Sequence, residues 1–392
     1  MAPSLKTTVA GIELPTCVYN ASGPRTGSSA AMAKIATSES GGVLAKSATM
    51  KSQTGNPQPR TWHETEKKLA SLNSEGLPNA GIEYYIKPET ISDTIGSTGK
   101  PYMVSISGHT LADNLKMLEM VAAAAKEDSR IEAVELNLAC PNVIGKPIIA
   151  YDFDQMADVL DQVAALPCVK DGSLPPLGVK MPPYFDGPHF EKAAEILNKH
   201  KNIVRYSASI NTIGNAFAID LAAEMPVISS KGGFAGLSGP AVKYTALANV
   251  RKMRELLDQS IDVVGVGGVE SGKDAFEMIL CGAAAVQVGT THWNEGPKCF
   301  DRICAELRDI MTDKGYGSVG DFQGKLKPWS KEGAAIARAA KKAREGGTKT
   351  ETNGKAAAAT TQGNDQQLMM ISALLAVLVA VLLADKFGVV TI

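Results

Sequence analysis

The sequence has no cysteine pattern that would form a disulfide framework or a zinc site. Its six cysteines contain no C-x-x-C pair and no zinc-type spacing; they are Cys17, Cys140, Cys168, Cys281, Cys299 and Cys304. Isolated cysteines of this kind are typical of reduced thiols in an intracellular compartment. We therefore expect no structural disulfide and no bound metal.

An excess of charge of either sign is also absent. The chain has 40 basic and 41 acidic residues, a net charge of −1, and the two signs are interleaved. This balance gives no indication of a nucleic-acid partner. The first residues lack the apolar core of a signal peptide and are too few for a transit peptide, so we expect a cytoplasmic catalytic domain.

The chain is long enough for one large domain followed by a tail. It has 392 residues, of which 44% are hydrophobic and 37 are glycine. Short apolar or β-branched runs predict eight strands, at residues 42–48, 102–108, 133–138, 177–181, 204–210, 227–229, 263–267 and 284–289. Helical patterns lie between them, at residues 110–127, 152–166, 190–200, 241–257 and 273–281.

This alternation of strand and helix favours a parallel (β/α)8 barrel, an α/β fold of the TIM-barrel type. An open doubly wound sheet is the alternative. Against it, no G-x-G-x-x-G motif follows the first predicted strand, and the glycine pairs come late in the sequence.

The stretch Glu135-Leu-Asn-Leu-Ala-Cys140-Pro-Asn142 is a predicted buried strand that ends in polar groups. Its apolar residues alternate, and the proline that follows Cys140 ends the strand because it has no N–H to donate. Cys140 is therefore a thiol at a strand terminus. Asn137 and Asn142 beside it can both donate and accept, which suits a planar ligand with carbonyl and N–H edges. The alternative is that Cys140 is a small core residue.

Other predicted strands also end in functional side chains. Lys46-Ser47, Lys180 and Asn211-Thr212 each follow an apolar run. The carboxyl ends of the strands carry the chemistry in barrel enzymes. A lysine held in apolar surroundings needs a counter-charge, and an anionic ligand would supply it.

Glycines follow the last two predicted strands, at Gly267-Gly268 and Gly289-Thr290. Backbone amides at these positions can approach a phosphate, and barrels frequently bind phosphate there. The alternative is that these glycines only form tight turns. Three further segments, residues 55–60, 73–79 and 231–240, are predicted loops, and the last of them would close over the site.

Together these motifs resemble the class 1A dihydroorotate dehydrogenases, the soluble fumarate-reducing type. The resemblance spans residues 6–328. It rests on Asn20-Ala-Ser-Gly23, Lys46-Ser47, Gly55-Asn-Pro-Gln-Pro-Arg60, Asn73-Ser-Glu-Gly-Leu-Pro-Asn79, Glu135-Leu-Asn-Leu-Ala-Cys-Pro-Asn142, Gly178-Val-Lys180-Met-Pro-Pro-Tyr184-Phe185, Asn211-Thr-Ile-Gly-Asn215, Gly267-Gly268-Val-Glu-Ser-Gly272 and Gly289-Thr290. The sequence departs from the family pattern at Thr212 and Ser238, where serine and glycine are expected.

The resemblance implies that FMN lies across the carboxyl end of the barrel. Its phosphate would meet Gly267, Gly268, Gly289 and Thr290, and the rest of it would be lined by Ala21, Ser22, Lys46, Ser47, Asn137, Lys180, Ile210 and Gly239. Dihydroorotate would be held by Lys46, Asn73, Gly76, Leu77, Asn137, Asn142, Asn211 and Thr212.

The resemblance also implies the reaction and the partners. Cys140 would be the catalytic base that takes a proton from the substrate, assisted by Lys46, while FMN takes a hydride and passes the electrons to fumarate. The product would be orotate, in pyrimidine biosynthesis, and the protein would be a homodimer. The quinone-reducing class instead has a serine base and an N-terminal helical extension.

The C-terminal segment extends beyond the resemblance. We predict a catalytic domain at residues 1–328, a basic and low-complexity linker at 329–367, and a hydrophobic helix at 368–392. Within the linker, the basic patch is residues 334–344 and the polar stretch at 346–367 is predicted to be disordered. Residues 368–384 are 17 residues without a charge, the lower limit for crossing a bilayer. A membrane tail anchor is the preferred interpretation, and an amphipathic or partner-buried helix is the alternative. The tail leaves open a quinone acceptor, and also a scaffold that binds FMN without turnover.

Overall fold

The computed structural model describes residues 2–139 and 148–342 of the 392-residue chain. The chain divides into two units, Met1–Leu326 and Lys327–Ile392. The predicted catalytic residue Cys140 and its neighbour Asn142 lie outside the described residues. The predicted hydrophobic helix at 368–392 also lies outside them.

The first unit is built on a sheet of eight parallel strands that curls into a barrel. In chain order they are β1 (Val18–Asn20), β2 (Val43–Leu44), β3 (Tyr102–Ile106), β4 (Ile131–Asn137), β5 (Leu177–Met181), β6 (Val204–Ser209), β7 (Asp262–Val266) and β8 (Ala285–Val288). Each strand from β2 to β7 pairs with the next along the chain, and β8 pairs with β1. The predicted (β/α)8 barrel is confirmed.

The seam of the barrel lies between β1 and β2, which no ladder joins in the described part of the chain. The side chain of Asn20 spans this gap. Its Nδ2 donates to the carbonyl of Leu44 at 2.6 Å, and its Oδ1 accepts from the Leu44 amide at 3.1 Å. One side-chain amide therefore makes the pair of bonds that a neighbouring strand would make.

The helices of the first unit lie mostly between the strands. They are Ser29–Ala36, Ile82–Tyr85, Pro88–Ile95, Leu111–Glu127, Phe153–Ala165, Pro167–Lys170, Gly187–Lys199, Lys243–Leu256, Gly272–Leu280, Thr290–Glu295 and Lys298–Lys314. Two of the longer ones begin with a capping box, formed by Thr110 with Asp113 and by Ser271 with Asp274, which satisfies amides that the first helical turn leaves unpaired.

The amino-terminal end of the barrel is closed by an antiparallel hairpin of Thr7–Val9 and Ile12–Leu14. Its apolar side chains pack into one buried cluster with side chains from the barrel strands, including Leu44, Met103 and Tyr206. Within the barrel Gly178 makes room for Tyr206, because a Cβ at Gly178 would lie 2.0 Å from the tyrosine ring. Buried, mostly apolar side chains therefore fill this end of the barrel.

Two sequence predictions differ from the structure. Residues 227–229 were predicted to be a barrel strand, but they pair with no barrel strand. The amide of Val227 donates to the carbonyl of Ala218, and the amide of Ser229 donates to the carbonyl of Pro59. Ile228 packs with Leu72 and Ala235, outside the barrel core. The missing barrel strand is Val18–Asn20, which is only three residues long and ends in a polar residue. Only Val18 and Tyr19 precede the polar Asn20, so this strand does not form an apolar run as the other seven do.

Residues 231–240 were expected to be a loop, but Ala235–Ser238 form a strand. It belongs to a four-stranded antiparallel sheet in the order Ile213–Ala216, Ala235–Ser238, Ser71–Asn73 and Thr61–His63. Its glycine is required by packing, since a Cβ at Gly236 would lie 2.2 Å from the hydroxyl of Thr212. Two further strands, Ile219–Asp220 and Met225–Pro226, form a separate hairpin.

In the second unit the described residues include a helix at 331–342, the start of the predicted linker. The hydroxyl of Ser330 accepts from the Gly333 amide at 3.0 Å and so caps its first turn. Across residues 2–139 and 148–342, no helix is both long and apolar enough to cross a bilayer.

Candidate active site

A cavity of about 770 Å³ opens at the carboxyl ends of the barrel strands. Its floor is formed by the ends of the strands, and the four-stranded antiparallel sheet contributes a wall, with Ser71, Asn73 and Leu237 in the lining. The volume is within the range of protein sites for small organic ligands. The parallel strands therefore bring their carboxyl ends together at one site, as expected for a barrel.

Every predicted site residue that the structure describes lines this cavity. They are Ala21, Ser22, Lys46, Ser47, Asn73, Gly76, Leu77, Asn137, Lys180, Ile210, Asn211, Thr212, Gly239, Gly267, Gly268, Gly289 and Thr290. Cys140 and Asn142 fall in the segment 140–147 that is outside the described residues. Residues that lie up to 269 positions apart in the sequence are thus gathered at one place, from Ala21 to Thr290.

Positive charge dominates the described lining of the cavity. Its lysines are Lys46, Lys180 and Lys231, and its carboxylate is Glu75. Glu75 forms an ion pair with Arg60, with 3.0 Å between Oε2 and Nε. Burial raises the pKa of Glu75, while the charges of Arg60 and Lys46 act in the opposite direction. A lining with this balance is suited to anionic ligands.

Lys180 lies on the inner face of β5 and is one of two buried lysines in this lining, with Lys46. Only 6% of the residue is exposed, and its Nζ donates to Oε1 of Gln287 on β8 at 2.7 Å. Burial lowers the pKa of Lys180, and the charge of Glu135 raises it. An anion in the cavity would stabilise the ammonium form of this side chain.

The asparagines are connected to each other and to the cavity wall. Nδ2 of Asn211 donates to Oδ1 of Asn137 at 3.3 Å, and Oδ1 of Asn211 accepts from the Thr212 amide at 2.8 Å. Nδ2 of Asn73 donates to the hydroxyl of Ser238 at 3.2 Å. Ser238, a departure from the family pattern, therefore holds the Asn73 amide in place. These contacts orient the amides before any ligand binds.

Hydroxyl groups form a second connected set beside Lys46. The hydroxyls of Ser22 and Ser47 lie 3.0 Å apart, and those of Ser47 and Ser105 lie 2.9 Å apart. Each hydroxyl can either donate or accept, so the set can adjust to the polarity of a ligand. Ser47 comes from the end of β2 and Ser105 from β3, which places the set on the cavity floor.

The glycines after the last two strands adopt backbone conformations that other residues rarely adopt. Gly267 has φ of 127° and Gly268 has φ of 70°, both in the region that favours glycine. A Cβ at Gly268 would also lie 2.9 Å from the backbone of Lys243. By contrast, the nearest atom to a Cβ at Gly289 would be 3.8 Å away, so the backbone there borders open space. The cavity lining at these glycines therefore carries no side chain, which leaves room for a phosphate to approach the main chain.

The donor set therefore fits the FMN that the resemblance implies. A buried lysine, a group of hydroxyls and glycine backbone line one cavity of suitable size. A flavin phosphate needs N–H donors, and a reduced flavin needs a nearby positive charge.

The comparison with known families agrees with this geometry. The model of the family described as dihydroorotate dehydrogenase matches residues 4–311. The chain belongs to the dihydroorotate dehydrogenase family.

Individual members of the family are similar over nearly their whole length. Dihydroorotate dehydrogenase A (fumarate) of Lactococcus lactis subsp. lactis is 43% identical over 82% of this chain and 99% of its own length. Dihydroorotate dehydrogenase (fumarate) of Kluyveromyces lactis is 43% identical over 83% of this chain and 99% of its own length. The predicted resemblance to the fumarate-type dihydroorotate dehydrogenases is confirmed.

A solved structure shows the same fold. The crystal structure of DHODH from Eimeria tenella in complex with ferulenol superimposes with a TM-score of 0.66 at 22% identity, covering 82% of this chain and 88% of that one. At this identity the likeness supports the barrel architecture alone.

Three residues at or beneath the cavity of this dihydroorotate dehydrogenase were not predicted from the sequence to have a role. No role was predicted for Gln287, which accepts from Lys180, or for Glu135, which accepts from Gln287. The rim residue His63, which stacks on Trp293 with 5.7 Å between ring centroids, was also missed. For Gln287 a signal was present, because a polar residue interrupts the apolar strand Ala285–Val288.

Proposed function

We propose that this protein oxidises (S)-dihydroorotate to orotate in pyrimidine biosynthesis and reduces fumarate to succinate. The observation that carries the proposal is that every described residue predicted to bind cofactor or substrate lines one cavity, in a chain of this family. FMN, when bound, supplies the redox chemistry by accepting a hydride from the substrate and passing the electrons to fumarate.

The residues of the chain bind and orient the cofactor. Amides at Gly267, Gly268, Gly289 and Thr290 would hold the phosphate, and Ala21, Ser22, Ser47, Ile210 and Gly239 would line the rest. Lys180 and Asn137 would contact the polar edge of the ring system. The buried ammonium of Lys180 stabilises negative charge that develops beside it.

Other residues would bind the substrate. Dihydroorotate has a carboxylate and two amide-like edges, which match the ammonium of Lys46 and the amides of Asn73, Asn137, Asn142 and Asn211. Gly76, Leu77 and Thr212 complete the contacts. The link between Asn137 and Asn211 fixes the orientation of both amides relative to each other.

Cys140 is the proposed general base. It lies three residues beyond the end of β4, the strand that also carries Asn137 into the cavity. The thiolate would take the proton from carbon 5 of the substrate, and the charge of Lys46 would assist. Because an ordinary cysteine pKa is about 8.5, activity is expected to rise toward alkaline pH as the thiolate forms.

The test is an acceptor assay on purified protein. Orotate formation is measured with fumarate or with a soluble quinone as the only oxidant, using the full-length protein and a form that ends at Pro328. Turnover with fumarate in both forms supports the proposal. Turnover with quinone alone would favour a quinone-linked enzyme, and FMN binding without turnover would favour a scaffold.

The second unit is proposed to attach the enzyme to a membrane, with a catalytic domain at 1–328 on the cytosolic side, a linker at 329–367 and a tail anchor at 368–392. In the helix at 331–342, Lys331, Arg338 and Lys342 share one face by helical spacing. Trp329 just before the helix is 80% exposed. A basic face with a nearby tryptophan suits the surface of an anionic bilayer.

Vesicle flotation tests this attachment. Full-length protein is expected to float with anionic vesicles, and a form that ends at Gln367, which keeps the basic helix, is expected to float weakly and only at low salt. Equal flotation of both forms would contradict a tail anchor.

We also propose a homodimer. Five exposed apolar side chains lie within or close in sequence to the hairpin of Ile219–Asp220 and Met225–Pro226. They are Phe217, Ile219, Leu221, Met225 and Phe234. A second copy of this chain would bury them. Light scattering on the form that ends at Pro328 is expected to give a dimer, and Leu221→Lys is expected to give a monomer, with Tyr244→Lys as a matched control at another exposed side chain.

A further inference from the structure

A chain of buried polar groups lies beneath Lys180, inside the barrel. Nζ of Lys180 donates to Oε1 of Gln287 at 2.7 Å, and Nε2 of Gln287 donates to Oε2 of Glu135 at 2.8 Å. The three side chains come from β5, β8 and β4, and both Glu135 and Gln287 are fully buried. An acid is thus linked to the cavity lysine through a single amide.

Two tyrosines complete this polar layer. The hydroxyl of Tyr19 accepts from Nε2 of Gln287 at 3.2 Å, and the hydroxyl of Tyr206 donates to Oε2 of Glu135 at 3.4 Å. Burial raises the pKa of both tyrosines far above its usual range, and the charge of Glu135 adds to the effect. Both therefore remain neutral, and neither can serve as the counter-charge of Lys180.

The direction of the hydrogen bonds follows from the chemistry of the groups. An ammonium can only donate and a carboxylate can only accept, so Gln287 must present its oxygen to Lys180 and its NH2 to Glu135. Glu135 therefore determines the orientation of the amide, and the amide determines the position of the ammonium. Turning the amide over would place like groups against each other at both ends.

A purely structural role for Glu135 is difficult to reconcile with its surroundings. Its second oxygen, Oε1, has no hydrogen-bond partner among the described residues, although it is fully buried. A buried carboxylate with one unsatisfied oxygen costs free energy that an apolar residue would avoid. What the carboxylate provides and an amide would not is negative charge in the same interior as a buried ammonium.

We propose that Glu135, acting through Gln287, is a positioning residue that holds Lys180 as an ammonium directed at the cavity, where it stabilises the reduced flavin. This inference rests on the proposed function, since it assumes that FMN occupies the cavity. Glu135 does not itself line the cavity. It acts by fixing the charge and the direction of the group that does.

The first test is Glu135→Gln, which removes the charge and keeps the size. The two-electron midpoint potential of bound FMN and the dissociation constant of oxidised FMN are measured. The affinity for reduced relative to oxidised FMN is expected to fall about tenfold, which corresponds to a potential about 30 mV lower. The affinity for oxidised FMN is expected to change much less.

The second test exchanges the two groups, in the double variant Glu135→Gln/Gln287→Glu. This places the carboxylate directly beside Lys180 and keeps an amide behind it. The potential is expected to return to the wild-type value or above it. If the polar layer only filled the barrel, the double variant would be no closer to wild type than the single variant.

A matched control is Glu132→Gln, also on β4 but three residues away and only partly buried. It is expected to leave the potential unchanged.

An unchanged potential in Glu135→Gln with FMN bound would overturn the inference and leave the proposed function intact. Wild-type protein that binds no FMN would instead overturn the proposed function. If neither variant at Glu135 folds, Gln287→Met tests the link, and failure of all three to fold would assign the layer a structural role.

Discussion

The two ends of the barrel are built from the same strands but have opposite character. On β4, the inward-facing positions run from Ala133, in the apolar cluster under the hairpin, through Glu135 to Asn137 in the cavity. On β8 they run from Ala285 to Gln287. Apolar packing therefore lies at the amino-terminal end and the polar cavity at the carboxyl-terminal end, only two inward-facing positions apart on β4 and one on β8.

This separation predicts that substitutions at the two ends have different consequences. Substitutions at the amino-terminal end of the barrel should lower the free energy of unfolding and leave the activity of the remaining folded protein unchanged. Changes in the cavity should affect the reaction and leave the fold intact.

The largest effect is expected for Gly178→Ala, near the start of β5. The added Cβ would lie 2.0 Å from the Tyr206 ring, and the filled barrel interior leaves little space for the ring to move. We expect largely insoluble protein. Gly187→Ala is the control, since a Cβ there meets no atom within 4 Å. Soluble Gly178→Ala protein with a wild-type melting temperature would refute this account of the interior.

At the opposite end, Cys140→Ala is expected to lower kcat by about 10²- to 10⁴-fold, because it removes the proposed base. The melting temperature and the dissociation constant of dihydroorotate are expected to change little. Stopped-flow reduction of the flavin by dihydroorotate measures the step directly. A rate within tenfold of wild type would exclude Cys140 as the base.

A smaller effect is expected when the hairpin of Thr7–Val9 and Ile12–Leu14, which closes the amino-terminal end of the barrel, is weakened. Leu14 is 1% exposed, and Leu14→Ala is expected to cost about 2–5 kcal/mol of unfolding free energy with kcat unchanged. Denaturant unfolding measures the loss. Glu13→Ala, at an exposed position on the same strand, should cost less than about 0.5 kcal/mol. A large change in kcat for Leu14→Ala would show that the two ends are coupled.

The smallest effect concerns pH and belongs to the carboxyl end. Burial lowers the pKa of His292 to about 4, from an ordinary value of about 6.5, and the charge of Arg25 adds to the effect. As the pH falls from about 6.5 toward 4, the unfolded chain takes up a proton that the folded protein does not, so stability declines. His292→Gln is expected to flatten this part of the curve of melting temperature against pH, by about 1–3 kcal/mol at most. The exposed His109→Gln is the control, and an equal flattening there would contradict the assignment.

The sequence was sufficient to predict the barrel and most of its site, for physical reasons that can be named. Buried parallel strands are apolar runs, and seven of the eight, all except Val18–Asn20, were found by that property. Chemistry at the carboxyl ends follows from the topology, so Lys46, Lys180 and Asn211 were expected at one place, and they are.

Other features depend on contacts between residues that are distant in sequence, and these were not predictable. Ala235–Ser238 is a strand because Ser71–Asn73 and Ile213–Ala216 lie beside it, not because its glycine-rich sequence favours one. Gln287 matters because Lys180 and Glu135 reach it from two other strands. The segment that contains Cys140 is outside the described residues, so its predicted role stays a prediction.

The bonding at Asn20 has a consequence for how the ring of strands can open. Seven of the eight junctions depend on peptide groups, which every residue except proline supplies, whereas the eighth depends on one amide side chain and on the nearby bond from the Gly41 amide to Val18. A single nucleotide change in the Asn20 codon can therefore remove both side-chain bonds between β1 and β2 while every ladder and the bond from Gly41 remain. The adjoining residues Ala21 and Ser22 line the cavity, so such a break would begin at the wall that is proposed to hold the flavin.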